Sequence, residues 1–231
     1  MKICILSDIH GNYEALKECV NEAKKLNIRK FFCLGDYVGY YYEPHKCIDL
    51  LNKIKAICIK GNHENIFLEI LNDNKKIEYY KEKYGNGIKI AFKRLKKKHV
   101  EFIKKLPKTK KINLKGKKIL LCHGSPWNTD EYIYPNKFNK FKNKLNRYKY
   151  DYIFLGHTHI QMNKKINKKI ILNPGSVGQP RDKNPTAKWL IIDLDKKKFD
   201  FKESKFNRFK VLKQVNFYDK NKKILTKHLQ K

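Results

Sequence analysis

The sequence predicts an α/β fold with one functional site at the ends of its strands. Short apolar runs alternate with stretches of helical spacing, which is typical of strands joined by helices. Five runs end in a loop that carries Asp, His or Asn, mostly beside Gly; they occupy residues 3–6, 31–34, 56–59, 119–122 and 152–155. In open α/β sheets such loops meet at the carboxyl ends of the strands, where ligands collect. We therefore expect the five loops to converge.

The first half of the chain predicts two β-α units, a third strand and a helical insertion. Asn12 can cap the first helix, and Pro44 suits the first turn of the second. After the third strand the pattern is mostly helical, with breaks near 72–74 and 85–87. The predicted strands lie at 2–7, 30–34 and 56–60, the predicted helices at 13–26 and 44–54, and a cap-like insertion at about 64–106.

The second half predicts a hairpin, further strands and a helical tail. The hairpin turns at Lys115-Gly116, and its second strand leads into His123. A short helix is expected at 137–146, before the strand that leads into His157. The remaining predicted elements are strands at 110–114, 117–122, 161–166, 169–172, 189–194 and 199–203, and a helical tail from about 208. The chain, residues 1–231, fits a single domain.

The formal net charge is +32, and a charge of this size attracts phosphate backbones. Only five of the 54 basic residues are Arg, however, whereas base and phosphate recognition favours the planar Arg fork. The lysines are spread along the chain beside abundant Asn and Ile, as an A/T-rich coding sequence produces. The pattern favours a compositional origin of the charge over a nucleic-acid-binding surface, although the second interpretation stays open.

The sequence predicts a cytoplasmic protein with reduced cysteines and no membrane partner. No apolar run reaches membrane-spanning length, and the run of four apolar residues before Ser7 is too short for a signal peptide. The six cysteines show no close pairing, and four of them lie inside apolar strand runs. They are typical of core thiols rather than of a disulfide framework or a zinc cluster.

The convergent loops predict a centre with two divalent metal ions. Neutral imidazole is the commonest protein ligand of transition metals, and five of the eight histidines lie in these loops. The loops offer imidazole, carboxylate and amide groups without thiolate, and too many of them for one tetrahedral ion. Two ions together can activate water and hold both oxygens of a phosphoryl displacement. The loop histidines are His10, His63, His123, His157 and His159, whereas His45, His99 and His228 are expected at the surface.

Five short motifs give the chain a resemblance to a known superfamily. They are Asp8-x-His10, Gly35-Asp36, Gly61-Asn62-His63-Glu64, His123-Gly124 and Gly156-His157-Thr158-His159. Each motif alone is weak, but in order and spacing they resemble those of calcineurin-like metallophosphoesterases over roughly residues 1–205. Further matches, such as residues 7–12 and 123–126, resemble the small archaeal and bacterial phosphodiesterase-type branch.

The resemblance implies a four-layer α/β/β/α sandwich of two mixed sheets that holds two divalent metal ions. It implies Asp8, His10, Asp36 and His159 as ligands of the first ion, and Asp36, Asn62, His123 and His157 as ligands of the second. Asp36 would bridge the ions. His63 would stabilise the transition state or protonate the leaving oxygen, with Glu64 orienting its ring, and a purely structural His63 is the alternative. Manganese is the expected metal, with nickel, iron, zinc or cobalt as alternatives.

The chain departs from the Ser/Thr protein phosphatases of this superfamily at two positions. Those enzymes carry phosphate-binding arginines where this chain has Gly39-Tyr40 and Lys60. Because Lys cannot reproduce the bidentate Arg contact, that branch is disfavoured. Arg181 could contact the phosphate instead, or its loop could only brace the site, and the sequence leaves both open.

The sequence therefore predicts a dinuclear-metal phosphodiesterase for a small phosphodiester or nucleotide-like substrate. A phosphomonoesterase is the enzymatic alternative, and a nucleic-acid-binding protein with a secondary metal site is the alternative of another class. The helical region 64–106 and the loop 124–136 would set substrate size. Their aromatic residues either stack a nucleobase or pack the cap against the core; they are Tyr79, Tyr80, Tyr84, Trp127, Tyr132 and Tyr134.

Overall fold

The fold is built on two five-stranded mixed sheets. The computed structural model describes residues 1–182, 184–220 and 222–229. The strands are β1 (Lys2–Leu6), β2 (Lys30–Cys33), β3 (Ile57–Cys58), β4 (Thr109–Leu114), β5 (Lys117–Cys122), β6 (Tyr152–Phe154), β7 (Gln161–Ile166), β8 (Lys169–Pro174), β9 (Ala187–Asp193) and β10 (Lys198–Ser204). The first sheet has the order β10-β9-β1-β2-β3, and the second has the order β4-β5-β6-β8-β7.

Each sheet contains three parallel strands, and the carboxyl ends of these strands lie at one edge of the sheet. In the first sheet β1, β2 and β3 run parallel, and in the second β5, β6 and β8 do. The other neighbours pair antiparallel. The predicted site loops therefore leave their strands in two parallel groups, one from each sheet.

The two sheets pack face to face, and other segments cover their outer faces. Side chains of β1 alternate between two cores, as the period of a strand requires. Ile3 and Ile5 lie in the inner core between the sheets, together with Leu121 of the second sheet. Cys4 and Leu6 lie in the outer core beneath the helices. The prediction of a four-layer α/β/β/α sandwich is confirmed.

Helices follow the strands of the first sheet and fill the region after β3. They are α1 (Tyr13–Lys25), α2 (Pro44–Lys53), α3 (Asn62–Asn72), α4 (Ile77–Tyr84), α5 (Gly87–Arg94), α6 (Lys97–Lys105), α7 (Lys142–Asn146), α8 (Arg208–Tyr218) and α9 (Lys223–Thr226). As predicted, the Asn12 side chain caps α1 and Pro44 begins α2. The helices after β3 are interrupted by a 3₁₀ turn, Asn74–Lys76, and by the turn between α4 and α5.

Some local predictions differ from the structure. β3 is shorter than predicted because the backbone N–H of Lys60 donates to the carbonyl of Pro107 and leaves the sheet. The helix predicted at 137–146 begins as a 3₁₀ helix, Pro135–Phe141, before α7. The prediction that His99 and His228 lie at the surface is wrong, since they are only 2% and 8% exposed.

The His99 ring is buried, and both of its nitrogens have hydrogen-bond partners. Its Nδ1 accepts a hydrogen bond from the backbone N–H of Lys96 at 2.9 Å, so its Nε2–H donates to Asp49 at 3.1 Å. The six cysteines are free and buried, as predicted. Within the described part of the chain, none of the helices has the length and apolar character that crossing a membrane needs.

Candidate metal centre

The five motif loops converge on one buried cluster between the two sheets. Loops from the first sheet meet directly, since the backbone N–H of Asp8 donates to Gly35 at 3.1 Å and that of His10 to Asp36 at 2.7 Å. In the second sheet the N–H of Gly156 donates to His123 at 2.6 Å. The predicted site residues in the cluster are all at most 7% exposed: Asp8, His10, Asp36, Asn62, His63, His123, His157 and His159.

Several of these residues have a left-handed backbone conformation. They are Asp8, His10, Asp36, His157 and His159, with φ between 51° and 64°. For residues with a side chain this conformation costs roughly 1 to 3 kcal/mol each, and it persists where surrounding structure holds it. Five of the ten non-glycine residues with positive φ in the described part of the chain lie in these loops, which indicates that the loops are shaped for the positions of these side chains.

The first group of side chains is centred on the Asp8 carboxylate. Asp8 Oδ1 lies 3.2 Å from His159 Nε2 and 4.0 Å from His10 Nε2. The two Nε2 atoms of His10 and His159 lie 3.1 Å apart. These three residues can offer one ligand atom each to a common ion.

The second group is centred on Asp36 and shares the same space. Asp36 Oδ2 lies 3.3 Å from His123 Nε2 and 3.6 Å from His10 Nε2. The side-chain oxygen of Asn62 lies 3.0 Å from His123 Nε2. Asp36, His123 and His157 also form a potential three-ligand group. Asp36 therefore faces both groups of ligands.

Backbone carbonyls set the tautomers of three of the histidines. The Nδ1–H groups of His10, His123 and His159 donate to the carbonyls of Val38, Leu34 and Gln179, at 3.2, 2.7 and 2.7 Å respectively. A carbonyl only accepts, so in the neutral rings the proton is on Nδ1. The lone pair of each Nε2 then points into the cluster, which is the orientation that a metal-binding imidazole needs.

The unpaired atoms of the cluster indicate that it fits cations. With Nδ1 protonated, Nε2 of His10 and Nε2 of His159 are two acceptors facing each other. Within the described residues, Asp36 Oδ2 and His157 Nε2 are buried and have no hydrogen-bond partner. Buried acceptors without donors are costly, and a divalent ion is the group that relieves several of them at once. The nitrogen and oxygen donors suit first-row divalent metals.

Without a metal ion, the negative charge of the Asp8 and Asp36 carboxylates is partly neutralised by a proton on the His123 imidazole. Burial opposes a charge on His123, but Asp36 and Asp8 outweigh it and raise its pKa to about 10. Burial lowers the pKa of His157 to about 3 and that of His63 to about 4. Burial also opposes ionisation of Asp8 and Asp36, yet nearby histidines hold both pKa values below the ordinary range. A bound cation would replace the His123 proton.

His63 lies at the edge of the cluster, and Glu64 does not touch its ring. The backbone N–H of His63 donates to Asp36 Oδ1 at 2.9 Å, while its side chain packs 4.7 Å from the His10 ring. The prediction that Glu64 orients the ring is wrong. Its carboxylate accepts instead from backbone N–H groups, including those of Asp36 and Gly61, both at 2.8 Å. Glu64 therefore joins the Asp36 loop to the start of α3.

A family model relates this arrangement to known proteins. The model of the calcineurin-like phosphoesterase superfamily domain matches residues 1–197. The chain belongs to this superfamily. Membership implies a hydrolase that acts on phosphoesters, and the buried His/Asp groups agree with metal binding.

The chain is also similar to individual proteins over most of its length. It is 35% identical to an uncharacterized protein of Methanocaldococcus jannaschii over 83% of this chain and 82% of that protein. A metallophosphoesterase structure from Sphaerobacter thermophilus matches with a TM-score of 0.82 and 24% identity, over 99% of this chain and 98% of that one. A hypothetical protein from Pyrococcus horikoshii matches with a TM-score of 0.86 and 18% identity, over 97% and 96% of the two chains. Both structures show the same fold.

Arg181 lies beside the buried cluster. Its backbone N–H donates to the carbonyl of His159 at 3.4 Å. Burial opposes its charge, but the neighbouring Tyr40, Tyr132 and Asp8 outweigh it and raise its pKa. Its charge partly offsets the rise that burial causes in the pKa of Tyr132. A permanent positive charge therefore lies near the candidate metal centre.

The predicted aromatic residues divide between the site and the core. The Tyr132 ring lies 3.8 Å from the His157 ring, and the Tyr84 ring lies 4.6 Å from that of His63. Trp127 instead packs against Tyr148 at 6.0 Å, on the outer face of the second sheet. The two tyrosines thus form walls of the entrance, whereas the tryptophan belongs to a core.

Sequence reasoning missed Tyr40 as a site residue. Its ring packs edge-on against His10 at 4.7 Å and lies 5.3 Å from His63. From the sequence, this position is identified as one where an arginine of the Ser/Thr phosphatases is absent, and no role is predicted for the tyrosine. Its place in a motif loop, directly after Gly39, is the signal that could have identified it.

Proposed function

We propose that this protein is a phosphodiesterase that uses two divalent metal ions. Asp8, His10, Asp36 and His159 would hold the first ion, and Asp36, Asn62, His123 and His157 the second. The observation that carries the proposal is Asp36 Oδ2, a buried carboxylate oxygen without a hydrogen-bond partner among the described residues, which faces imidazoles of both groups. Manganese is our first choice of metal, and nickel, iron, zinc or cobalt also suit the donors.

The protein groups around the ions have distinct tasks. When bound, two such ions supply the Lewis acidity that activates water and neutralises the phosphoryl oxygens. Asp36, whose carboxylate lies between His10 and His123, would belong to both ligand groups. His63 lies beside the cluster and would act on the leaving oxygen, either as an imidazolium that protonates it or as a neutral ring whose N–H stabilises the transition state. Arg181 contributes a fixed positive charge to a non-bridging phosphoryl oxygen.

Two features favour a diester over a monoester. A diester carries one negative charge where a monoester carries up to two, and the arginines of the Ser/Thr phosphatases are absent here, with Gly39-Tyr40 and Lys60 in their places. A cavity of about 410 Å³ also opens beside Asn62, between α3 and α4, and Tyr79, Tyr80 and Tyr84 line it. It offers room for a second ester substituent, such as a nucleoside.

We assign the helices after β3 as a cap on a single domain that works in the cytoplasm. Tyr84 of α4 reaches the His63 ring from that region, which supports the cap. Free thiols are typical of a reducing compartment, and the six buried cysteines support the cytoplasm. Nucleic acid as the main partner remains the alternative, and binding of RNA or DNA that falls steeply with salt but ignores active-site substitutions would favour it.

The deciding experiment compares hydrolysis of bis-p-nitrophenyl phosphate and p-nitrophenyl phosphate. Metal-free protein is reconstituted with manganese or nickel, and wild type is compared with Asp36→Asn and with Asp200→Asn, an exposed carboxylate on β10. We expect metal-dependent cleavage of the diester that Asp36→Asn abolishes and Asp200→Asn retains. Cleavage of the monoester alone would establish the phosphatase instead, and inactivity on both with two metals bound would contradict the proposal.

A further inference from the structure

The C-terminal tail packs against segments that line the metal centre. Its last helices bury apolar residues against the tyrosines that follow Gly39; the cluster comprises Tyr40, Tyr41, Tyr42, Ile90, Val211, Val215, Leu225 and Leu229. Tyr41 donates its hydroxyl to the carbonyl of Leu225 at 3.2 Å. Lys222 Nζ donates to the carbonyl of Lys81, near the end of α4, at 2.9 Å. The family model ends at residue 197, so the tail lies beyond the matched region.

Asp219, directly after α8, joins these contacts. The side chain is buried, at 8% exposure, and accepts hydrogen bonds from two other parts of the chain. Asp219 Oδ2 accepts from the Tyr42 hydroxyl at 2.9 Å and from the backbone N–H of Asn86 at 2.8 Å. Asp219 Oδ1 accepts from the side-chain amide of Asn86 at 3.2 Å. One carboxylate therefore fixes both the turn before α5 and the loop that holds Tyr42.

The turn that Asp219 holds lies directly on the backbone beside the metal centre. Gly87 packs so closely on Gly39 and Tyr40 that a Cβ atom there would overlap the Gly39 carbonyl. Gly39 in turn lies against two rings of the cluster: a Cβ on Gly39 would be 2.6 Å from His63 Nδ1 and 2.9 Å from Nδ1 of His10. The Gly87 backbone contacts the Gly39 backbone, which contacts the His63 ring. A shift of the turn therefore reaches the ring, because no flexible side chain lies between them to absorb it.

Tyr84 provides a second route to the same ring. It is the last residue of α4, and Gly85 follows it against the Asp219 carboxylate and Leu225. The Tyr84 ring lies 4.6 Å from the His63 ring, and the Tyr40 ring lies 5.3 Å from it. Among the described residues, His63 Nδ1 has no hydrogen-bond partner. The Nδ1 side of the ring is therefore held by packing against these neighbours and not by a hydrogen bond.

We propose that Asp219 is a positioning residue that orients His63 through the turn before α5 and the Gly39-Tyr40 backbone. The inference rests on the proposed function, in which His63 assists departure of the leaving oxygen. Loss of the Asp219 contacts lets the turn and α4 move, and the His63 ring then loses its alignment. The reaction step that depends on His63 slows, whereas His10, which the same backbone contacts, keeps its Nδ1 hydrogen bond to Val38, a residue whose own N–H is held by Glu64.

The test compares two diesters of the same shape, diphenyl phosphate and bis-p-nitrophenyl phosphate. Phenolate needs a proton to leave, whereas p-nitrophenolate leaves readily without one. In manganese-loaded Asp219→Ala we expect kcat for diphenyl phosphate to fall about tenfold and kcat for the nitrophenyl diester to stay within about twofold. Asp219→Asn, which keeps one acceptor oxygen, should recover most of the loss, and Asp200→Ala should match wild type. Equal losses on both diesters, or none, would overturn the inference.

A measurement without substrate keeps this inference separate from the proposed function. In zinc-loaded protein with labelled histidine, the ring signals of His63, identified with His63→Gln, report its environment. We expect Asp219→Ala to shift or broaden them and Asp200→Ala to leave them in place. Unchanged His63 signals in Asp219→Ala would overturn the positioning role, whatever the activity. If wild type cleaves neither diester with metals bound, the proposed function fails and this spectrum alone decides the role of Asp219.

Discussion

Replacing Gly39 by Ala tests how closely the backbone of the motif loop supports the His63 ring. A Cβ atom at this position would lie 2.6 Å from His63 Nδ1, whereas ordinary contacts begin at 3.4 Å. The ring must therefore retreat by about 0.8 Å, and a misplacement of about 1 Å can reduce a rate by roughly 10²-fold. We expect a loss of this order in turnover of the diester.

The matched control is Gly116→Ala in the turn between β4 and β5. Both glycines have positive φ, 129° at Gly39 and 68° at Gly116, so both substitutions strain the backbone. A Cβ atom at Gly116 meets nothing within 4 Å. Left-handed backbone with a side chain costs roughly 1 to 2 kcal/mol, so Gly116→Ala should lose about that much stability in denaturant unfolding. Gly39→Ala, whose Cβ atom also overlaps the His63 ring, should lose more.

Only Gly39→Ala should lose activity when turnover is assayed with saturating manganese. Metal content, measured by elemental analysis, shows whether the ligand groups survive the substitution. Comparable turnover in the two variants would refute the argument that the His63 ring rests on the Gly39 backbone. A Gly39→Ala protein that turns over normally and also unfolds like wild type would refute the packing itself.

Three further outcomes are expected. Arg181→Gln should raise KM for the diester by about 10- to 100-fold with metal content unchanged, since one charge-assisted contact contributes roughly 1.5 to 3 kcal/mol; an unchanged KM would leave Arg181 as a brace. Because His123 has a pKa of about 10, it is protonated at pH 8, and metal binding should release close to one proton. Calorimetry in buffers of different ionisation enthalpy measures the number of protons released. The apparent affinity for the metal should rise with pH up to the pKa of His123. Release of no proton would contradict a positive charge on His123 in the metal-free protein. Glu64→Ala should lower the free energy of unfolding by about 3 kcal/mol, because buried backbone donors lose their acceptor, and urea unfolding with a normal midpoint would exclude this.

The convergence of the motif loops could be predicted because it depends on local patterns. Each apolar run before Asp8, Asp36 or His123 identifies a strand, and parallel strands bring their carboxyl ends together. The family resemblance supplied the grouping of ligands around Asp36. The short strand β3 was predicted too long because its end depends on a contact with Pro107, far along the chain.

The features that sequence reasoning missed are contacts between distant segments. Glu64 follows His63 in the sequence, and its position there predicts a contact with the ring. The backbone N–H groups of the Asp36 loop surround its carboxylate instead. Nothing near Asp219 in the sequence indicates that it accepts from Tyr42, 177 positions away. His99 looks like a surface residue in a Lys-rich stretch because its burial depends on α6 packing beside Asp49.

The left-handed backbone of the motif loops places side chains where the fold would be more stable with glycine. At Asp8, His157 and His159 a glycine would adopt the observed φ without strain and would remove a buried polar group. The backbone at these positions therefore costs stability that a glycine would not cost, and the loops have a shape that stability alone does not favour.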